Sequence, residues 1–230
     1  RHVYPYCDPW SLYWPYRRSI ILAEIAEAQG DLVCMQEVQA DYYENDILPR
    51  LTELGYDGLF KQKTRESMGQ HGKVDGCAMF WRRSKFIMLQ NYAIEFNECA
   101  RHTAAQLGGD DAEQSRIINR LSRDNVAQVV VLEVLPRVSR SARHTAPNSN
   151  HLCVVNTHLY ANHTRPDVKL WQSYTLMKEI EQFVVHQELA LLICGDFNSE
   201  PSSSVYQYLA EGTVDRHHED LTVNPMKVLP

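Results

Sequence analysis

Three apolar, strand-like runs of this chain end on side chains suited to metal or phosphate chemistry. Glu37 lies at the end of DLVCMQEV (31–38), His158 near the end of LCVVNTHLY (152–160), and Asp196 with Asn198 in LALLICGDFNS (189–199). A carboxylate supplies a hard oxygen to a metal ion, and an imidazole can give or take a proton. The end of a buried strand is a rigid place from which to aim such a group into a cleft. Taken singly, each has a plainer reading. A glutamate at a strand end is commonly solvated, a lone histidine is more often structural than catalytic, and Gly-Asp-Phe-Asn suits a turn. Their joint occurrence is what points to chemistry.

The elements that must position them follow from periodicity. Residues 16–28 read as a helix with Ile21, Leu22 and Ile25 on one side and Gly30 as a stop. A second helix is expected over 45–54, with Pro49 leaving its start open. Strands are expected over 76–81, 86–96 and 126–135, and the polar stretch 137–150 reads as a surface loop between paired strands. A long helix is expected from 166 to 185, capped by Thr164, with Leu170, Tyr174, Met177, Ile180 and Val184 at helical spacing. A short helix over 203–210 closes at Gly212. Several strands follow one another without an intervening helix, which favours α+β layers over an alternating parallel sheet.

The 230 residues, 44% apolar and 23% charged, describe an ordinary globular chain with enough length for a sizeable core. No apolar run approaches the ~18 residues of a membrane span, so no membrane partner is expected. A formal net charge of −6 excludes a histone-like binder held by bulk charge. It does not exclude a nuclease whose positive charge comes from a metal in the site. Six cysteines form no C-x-x-C pair, which argues against a zinc ribbon or a thioredoxin-like centre. Free, buried thiols in a reducing compartment are expected, Cys34, Cys77, Cys153 and Cys194 each standing in an apolar run.

In this order the chain carries C-M-Q-E-V (34–38), D-G-C-A-M-F-W (75–81), N-T-H-L (156–159) and G-D-F-N-S (195–199). The set resembles the endonuclease/exonuclease/phosphatase superfamily. Further motifs, Y-P-Y-C-D-P-W (4–10), E-F-N (95–97), R-D-N-V-A (123–127) and D-V-K-L-W-Q (167–172), are similar to the carbon-catabolite-repressor-type poly(A) deadenylases. The resemblance implies an α+β fold of two packed mixed β-sheets flanked by helices, a four-layer α/β/β/α sandwich. It implies removal of 3′-terminal adenylates from messenger RNA with release of AMP, two magnesium ions, poly(A) RNA as substrate and other subunits of a deadenylase complex as partners. It implies a cytoplasmic location, extending to the nucleus. Residue by residue, Glu37 matches the principal metal-ligating glutamate. Asp196 and Asn198 match the pair that hold the attacking water, or a second metal, and the scissile phosphate. His158 matches the histidine that contacts that phosphate. Asn125, Asn97 and His163 match substrate-binding positions, Asn125 approaching the terminal adenosine and His163 standing where many members carry a proline against adenine.

Against the family pattern, an opening strand bearing an active-site asparagine and a closing Ser-Asp-His segment are not among the 230 residues. Residues 1–230 are therefore expected to form a partial, incomplete catalytic domain, inactive by itself. His217 and His218 align with a linker and are not assigned to the missing histidine. Asp75 reads equally as a turn cap or a site residue, whereas Lys169 and Gln172, at i and i+3, read better as a solvated helix face than as residues orienting site loops. Two alternatives remain open. One is a relative acting on 2′,5′-oligoadenylate or a dinucleotide 2′-phosphate. The other is a non-catalytic module of a deadenylase complex.

Overall fold

The computed structural model describes residues 4–64, 74–136 and 150–229. Two β-sheets pack face to face. The first has the order β1–β3–β2, with β1 Leu32–Gln39, β2 Tyr56–Gln62 and β3 Asp75–Arg82 all antiparallel. The second has the order β4–β5–β6–β7, with β4 Phe86–Glu95, β5 Val126–Val134, β6 His151–His158 and β7 Ala190–Asp196. Its first three strands are antiparallel and β6–β7 is parallel, a crossover made by the long helix between them.

Alternation along the strands sorts their side chains into three apolar layers. On β3, Met79 and Trp81 point between the sheets and meet Val130 and Leu132 of β5 and Val154 of β6. Ala78 and Phe80 point the other way, onto a layer with Tyr43, Ile47 and Leu51. On the far side of the second sheet, Val129, Val131, Cys153 and Val155 face Phe96, Trp171, Leu176 and Ile180. The order helix, sheet, sheet, helix is the four-layer sandwich expected. The near-continuous apolar character of β3, β5 and β6 follows from burial on both faces.

Helix α1, Trp14–Ala28, ends where Gln29 takes a left-handed conformation. The next helical stretch starts earlier than its apolar spacing suggests. It comprises α2 Ala40–Tyr42, a π-turn over Tyr43–Ile47 and α3 Leu48–Glu53. The wider π-turn lies just before Pro49, where an α-helical turn would set the proline ring against a carbonyl. Two helices with no signal noted in the sequence, α4 Phe96–Leu107 and α5 Asp111–Leu121, fill the connection to β5. Phe96, expected in a strand, opens α4 instead. Helix α5 is started by a capping box in which Asp110 accepts from the Glu113 amide and Glu113 reaches back to the Asp110 amide. Strand β2 was also unread, since Gly58 interrupts its alternation. A Cβ there would stand 2.3 Å from the Phe80 ring, so the close approach of that ring requires glycine.

Helix α6 spans Pro166–Gln187 and α7 spans Ser204–Glu211. Thr164 is not the cap of α6. Arg165 holds that position without a side-chain bond, and the Thr164 hydroxyl instead binds Asn162 Oδ1 at 2.8 Å. All six cysteines are free thiols. Burial is the main force that pushes Cys34 and Cys77 up to about 12, so they remain neutral and inert. The expected surface loop after β5 lies, but for Asn150, outside the described residues. No helix among the described residues is long and apolar enough to cross a membrane.

Candidate active site

Parallel pairing of β6 and β7 sets His158 beside Asp196 in register, and His158 Nε2 lies 3.8 Å from Asp196 Oδ2. Gly195 makes this approach possible, for a Cβ on it would fall 2.2 Å from the Thr157 carbonyl oxygen. The turn after β7 is tightened by Asp196, whose Oδ1 accepts from the Asn198 amide at 2.9 Å. Asn198 adopts a positive φ of 48° and its Nδ2 donates to the Leu159 carbonyl at 2.8 Å.

Glu37 arrives from the other sheet. The β1–β3 register slips between Met35 and Val38, and Glu37 sits in that bulge with φ of 57°. A bulge re-aims a side chain that regular pleating would point elsewhere, and a non-glycine residue held at positive φ stores strain. Glu37 is exposed, and among the described residues no cation pairs with it. Next to it, Gln36 donates to Asn156 Oδ1 at 2.7 Å. Asn156, fully buried, in turn donates to the carbonyls of Met35 and Ala78, so one side chain bolts the two sheets together beneath the site.

His158 is 6% exposed. Burial first, then the charge of Lys63, hold its imidazole below the ordinary histidine value, while Asp196, Glu37 and Asp75 pull the other way. The imidazole thus feels one positive and three negative charges, of which Asp196 is in register beside it. Lys63, which the sequence reading overlooked, is buried and donates to Asp75 Oδ2 at 2.6 Å. Its only signal was a lysine just past a strand whose existence was itself unread. Asp75 thus carries an ion pair at the site.

Behind His158 stands a closed polar network. Asn125 Nδ2 donates to the His158 carbonyl at 2.8 Å, Gln172 Nε2 donates to Asn125 Oδ1 at 3.1 Å, and Gln172 Oε1 accepts from the Tyr160 amide. Lys169 reaches the Asn198 carbonyl at 2.8 Å. Lys169 and Gln172 are therefore not on a solvated face. They are buried and orient the loops after β6 and β7, a correction that follows from the direction in which α6 lies against the sheet. Asn97, also buried, donates to Thr64 Oγ1 at 2.7 Å, and its Oδ1 meets no donor among the described residues. His163 is exposed and shares with Lys169 and Asn198 a cleft of about 270 Å³. A larger cleft, about 400 Å³, lies elsewhere, between the α4–α5 turn and residues 225–227. His217 and His218 line another cleft and contact Arg216 and Ser202, away from these groups.

Fold and site together permit a comparison with known proteins. The endonuclease/exonuclease/phosphatase family model matches residues 6–225. The chain belongs to that family. It is 42% identical over 228 residues to carbon catabolite repressor protein 4 homolog 1 of Arabidopsis thaliana, covering 99% of this chain and 37% of that protein. It is 33% identical to CCR4-NOT transcription complex subunit 6-like-B of Xenopus laevis, covering 96% of this chain and 42% of the relative. The chain thus spans about two fifths of the curated relatives it matches. Among solved structures, ANGEL2, a 2′,3′-cyclic phosphatase, in complex with adenosine-2′,3′-vanadate, superposes with a TM-score of 0.72 at 29% identity, over 100% of this chain and 61% of that one. The human Nocturnin catalytic domain with bound sulfate anion gives 0.64 at 26% identity, over 89% and 64%. The family whose model matches is one of endonucleases, exonucleases and phosphatases.

Proposed function

We propose that this chain forms part of the catalytic domain of a magnesium-dependent 3′–5′ exoribonuclease that shortens poly(A) tails and releases AMP. The observation that carries the reading is the pairing in register of the buried His158 with Asp196, 3.8 Å apart, with Glu37 brought from the facing sheet by a bulge. Its likeness to carbon catabolite repressor and CCR4-NOT proteins supplies the direction toward poly(A), and other subunits of such a complex would be its partners.

Among the described residues no three His, Cys, Asp or Glu side chains are gathered closely enough to hold a metal by themselves. Magnesium does not require that. It binds through one or two carboxylates and keeps several waters. An exposed glutamate aimed by a bulge, with no cation paired to it among the described residues, fits such an ion. Bound at Glu37, magnesium would neutralise charge on the scissile phosphate. Asp196, with its Oδ2 toward His158, is placed to orient a water and take its proton. His158, kept neutral by burial, donates one hydrogen bond to a phosphate oxygen. Asn198 fixes the loop that bears Asp196. Asn125 acts from behind by holding the His158 carbonyl. His163, exposed on the cleft, is the group available to stack on an adenine base, and Asn97, buried and bonded to Thr64, would support the substrate from beneath.

A second reading is phosphodiesterase or phosphatase action on 2′,5′-oligoadenylate or a dinucleotide 2′-phosphate, supported by the likeness to ANGEL2, a 2′,3′-cyclic phosphatase. The deciding experiment presents the protein containing this chain with A-tailed RNA, U-tailed RNA, 2′,5′-oligoadenylate and a dinucleotide 2′-phosphate, with and without magnesium. Stepwise AMP release from the A-tailed strand, dependent on magnesium, is expected. Faster hydrolysis of either 2′-linked substrate would overturn the poly(A) reading.

A further inference from the structure

On this acidic chain one basic spot borders the site. Arg123 precedes Asn125 by two residues, and Tyr160 follows His158 by two. The Arg123 guanidinium lies over the Tyr160 ring, 5.1 Å from its centroid. Tyr160 is fixed by the bond from its amide to Gln172, the same glutamine that holds Asn125, so the arginine platform and the site share one support. Arg123 Nη1 donates to the carbonyls of Ser122 and Asn119, whereas its Nε is buried and meets no acceptor among the described residues. Burial and the like charges of Arg165 and Arg120 depress the Arg123 guanidinium, with Tyr160 opposing. Arg120 is neutralised by a two-pronged pair with the buried Asp167, at 2.8 and 2.9 Å. Neither Arg123 nor Arg165 pairs with a carboxylate among the described residues.

Two guanidiniums near enough for one to feel the other's charge, neither paired with a carboxylate among the described residues, form an arrangement that a phosphate would relieve. We propose that Arg123 and Arg165, with Tyr160 as a platform, bind the phosphodiester immediately 5′ of the scissile one in a single-stranded nucleic acid whose 3′ end lies at His158. This deepens the nuclease reading and rests on it for the direction of the strand. It gives a chain of net negative charge a local means of holding RNA that does not depend on the metal.

The test uses the protein containing this chain, an adenylate decamer and the dinucleotide ApA, which has no phosphate 5′ of the scissile one. Arg123→Gln and Arg165→Gln should each lower the decamer-to-dinucleotide ratio of kcat/KM about tenfold, mainly through KM for the decamer. The salt slope of decamer binding, measured by fluorescence anisotropy without magnesium, should fall by about 0.7 for each charge removed. Arg123→Lys should restore most of that slope. Should Arg123→Gln fail to fold by thermal melt, Arg165→Gln carries the test. Equal loss on both substrates would reduce the arginines to a structural role and overturn the subsite. So would a salt slope identical in the original protein and both variants. The binding arm judges the subsite even where the hydrolysis assay rejects poly(A) as substrate, so the two readings fail separately.

Discussion

The wall behind His158 and the rim bearing Glu37 and Asn198 use backbone and hydrogen bonds in opposite ways. In the wall, Asn125 and Gln172 are buried and bonded to each other, to the His158 carbonyl and to the Tyr160 amide, with ordinary backbone throughout. On the rim, Glu37 and Asn198 both hold positive φ, and the Glu37 carboxylate stays open to solvent. Satisfied buried networks fix position, whereas strained, open groups are kept for something the protein binds. The contrast teaches which residues should change activity and which should change stability.

The largest expected break concerns Glu37. Glu37→Gln keeps shape and removes charge, so activity should fall about a thousandfold or more, on the order of 4 kcal/mol of barrier. The melting temperature should stay within about 2 °C of the original, since the side chain is exposed. Calorimetric magnesium affinity identical in both proteins would remove Glu37 from the metal site.

Next comes the ion pair that anchors α5 to α6. Asp167 is fully buried and accepts both prongs of Arg120. Asp167→Ala strands the arginine and should cost about 3–5 kcal/mol in a denaturant titration. A loss below about 1 kcal/mol would show that water reaches the vacated site and that the wall is less closed than described.

Asn125→Ala tests the wall itself. It leaves the His158 carbonyl and the Gln172 amide without their partners, and about 1–3 kcal/mol of stability should go with them. Preference for A-tailed over U-tailed RNA should weaken as the loop loosens. Undiminished preference would confine adenine recognition to groups such as His163 and Asn97.

Glu37→Gly sharpens the contrast at a smaller scale. Glycine relaxes the positive φ, so stability should rise by up to about 1 kcal/mol, despite the greater freedom of the unfolded chain, while activity is lost as in Glu37→Gln. A destabilised glycine variant would mean that the bulge is not strained.

The smallest effect is a pH dependence. Burial, then Lys63, lower the His158 imidazole, so the unfolded chain takes up its proton at higher pH than the folded one. The stability this contributes is complete above the ordinary histidine value of 6.5 and is lost as pH falls through the lower folded value. In melts taken on acidification from neutral pH, His158→Gln should decline less steeply than the original protein. Parallel curves would indicate that His158 titrates alike in both states.

The sequence by itself determined the strands that carry the chemistry and the residues at their ends. Glu37, His158, Asp196 and Asn198 each close an apolar run, and a continuous apolar run marks a strand buried on both faces whatever the order of the sheet. It also determined α6, whose apolar spacing is long and regular. The tertiary structure alone decided the rest. The bulge that turns Glu37 toward the site depends on register against β3, which no local pattern records. Lys63 became a site residue because β2 pairs with β3 and sets it against Asp75. Lys169 and Gln172 have the composition of a solvated helix face, yet they are buried because α6 lies across the ends of β6 and β7, where two loops needed hydrogen-bond partners. Local pattern records what a residue can do. Only packing decides what it faces, because burial and partner come from chain far away in sequence.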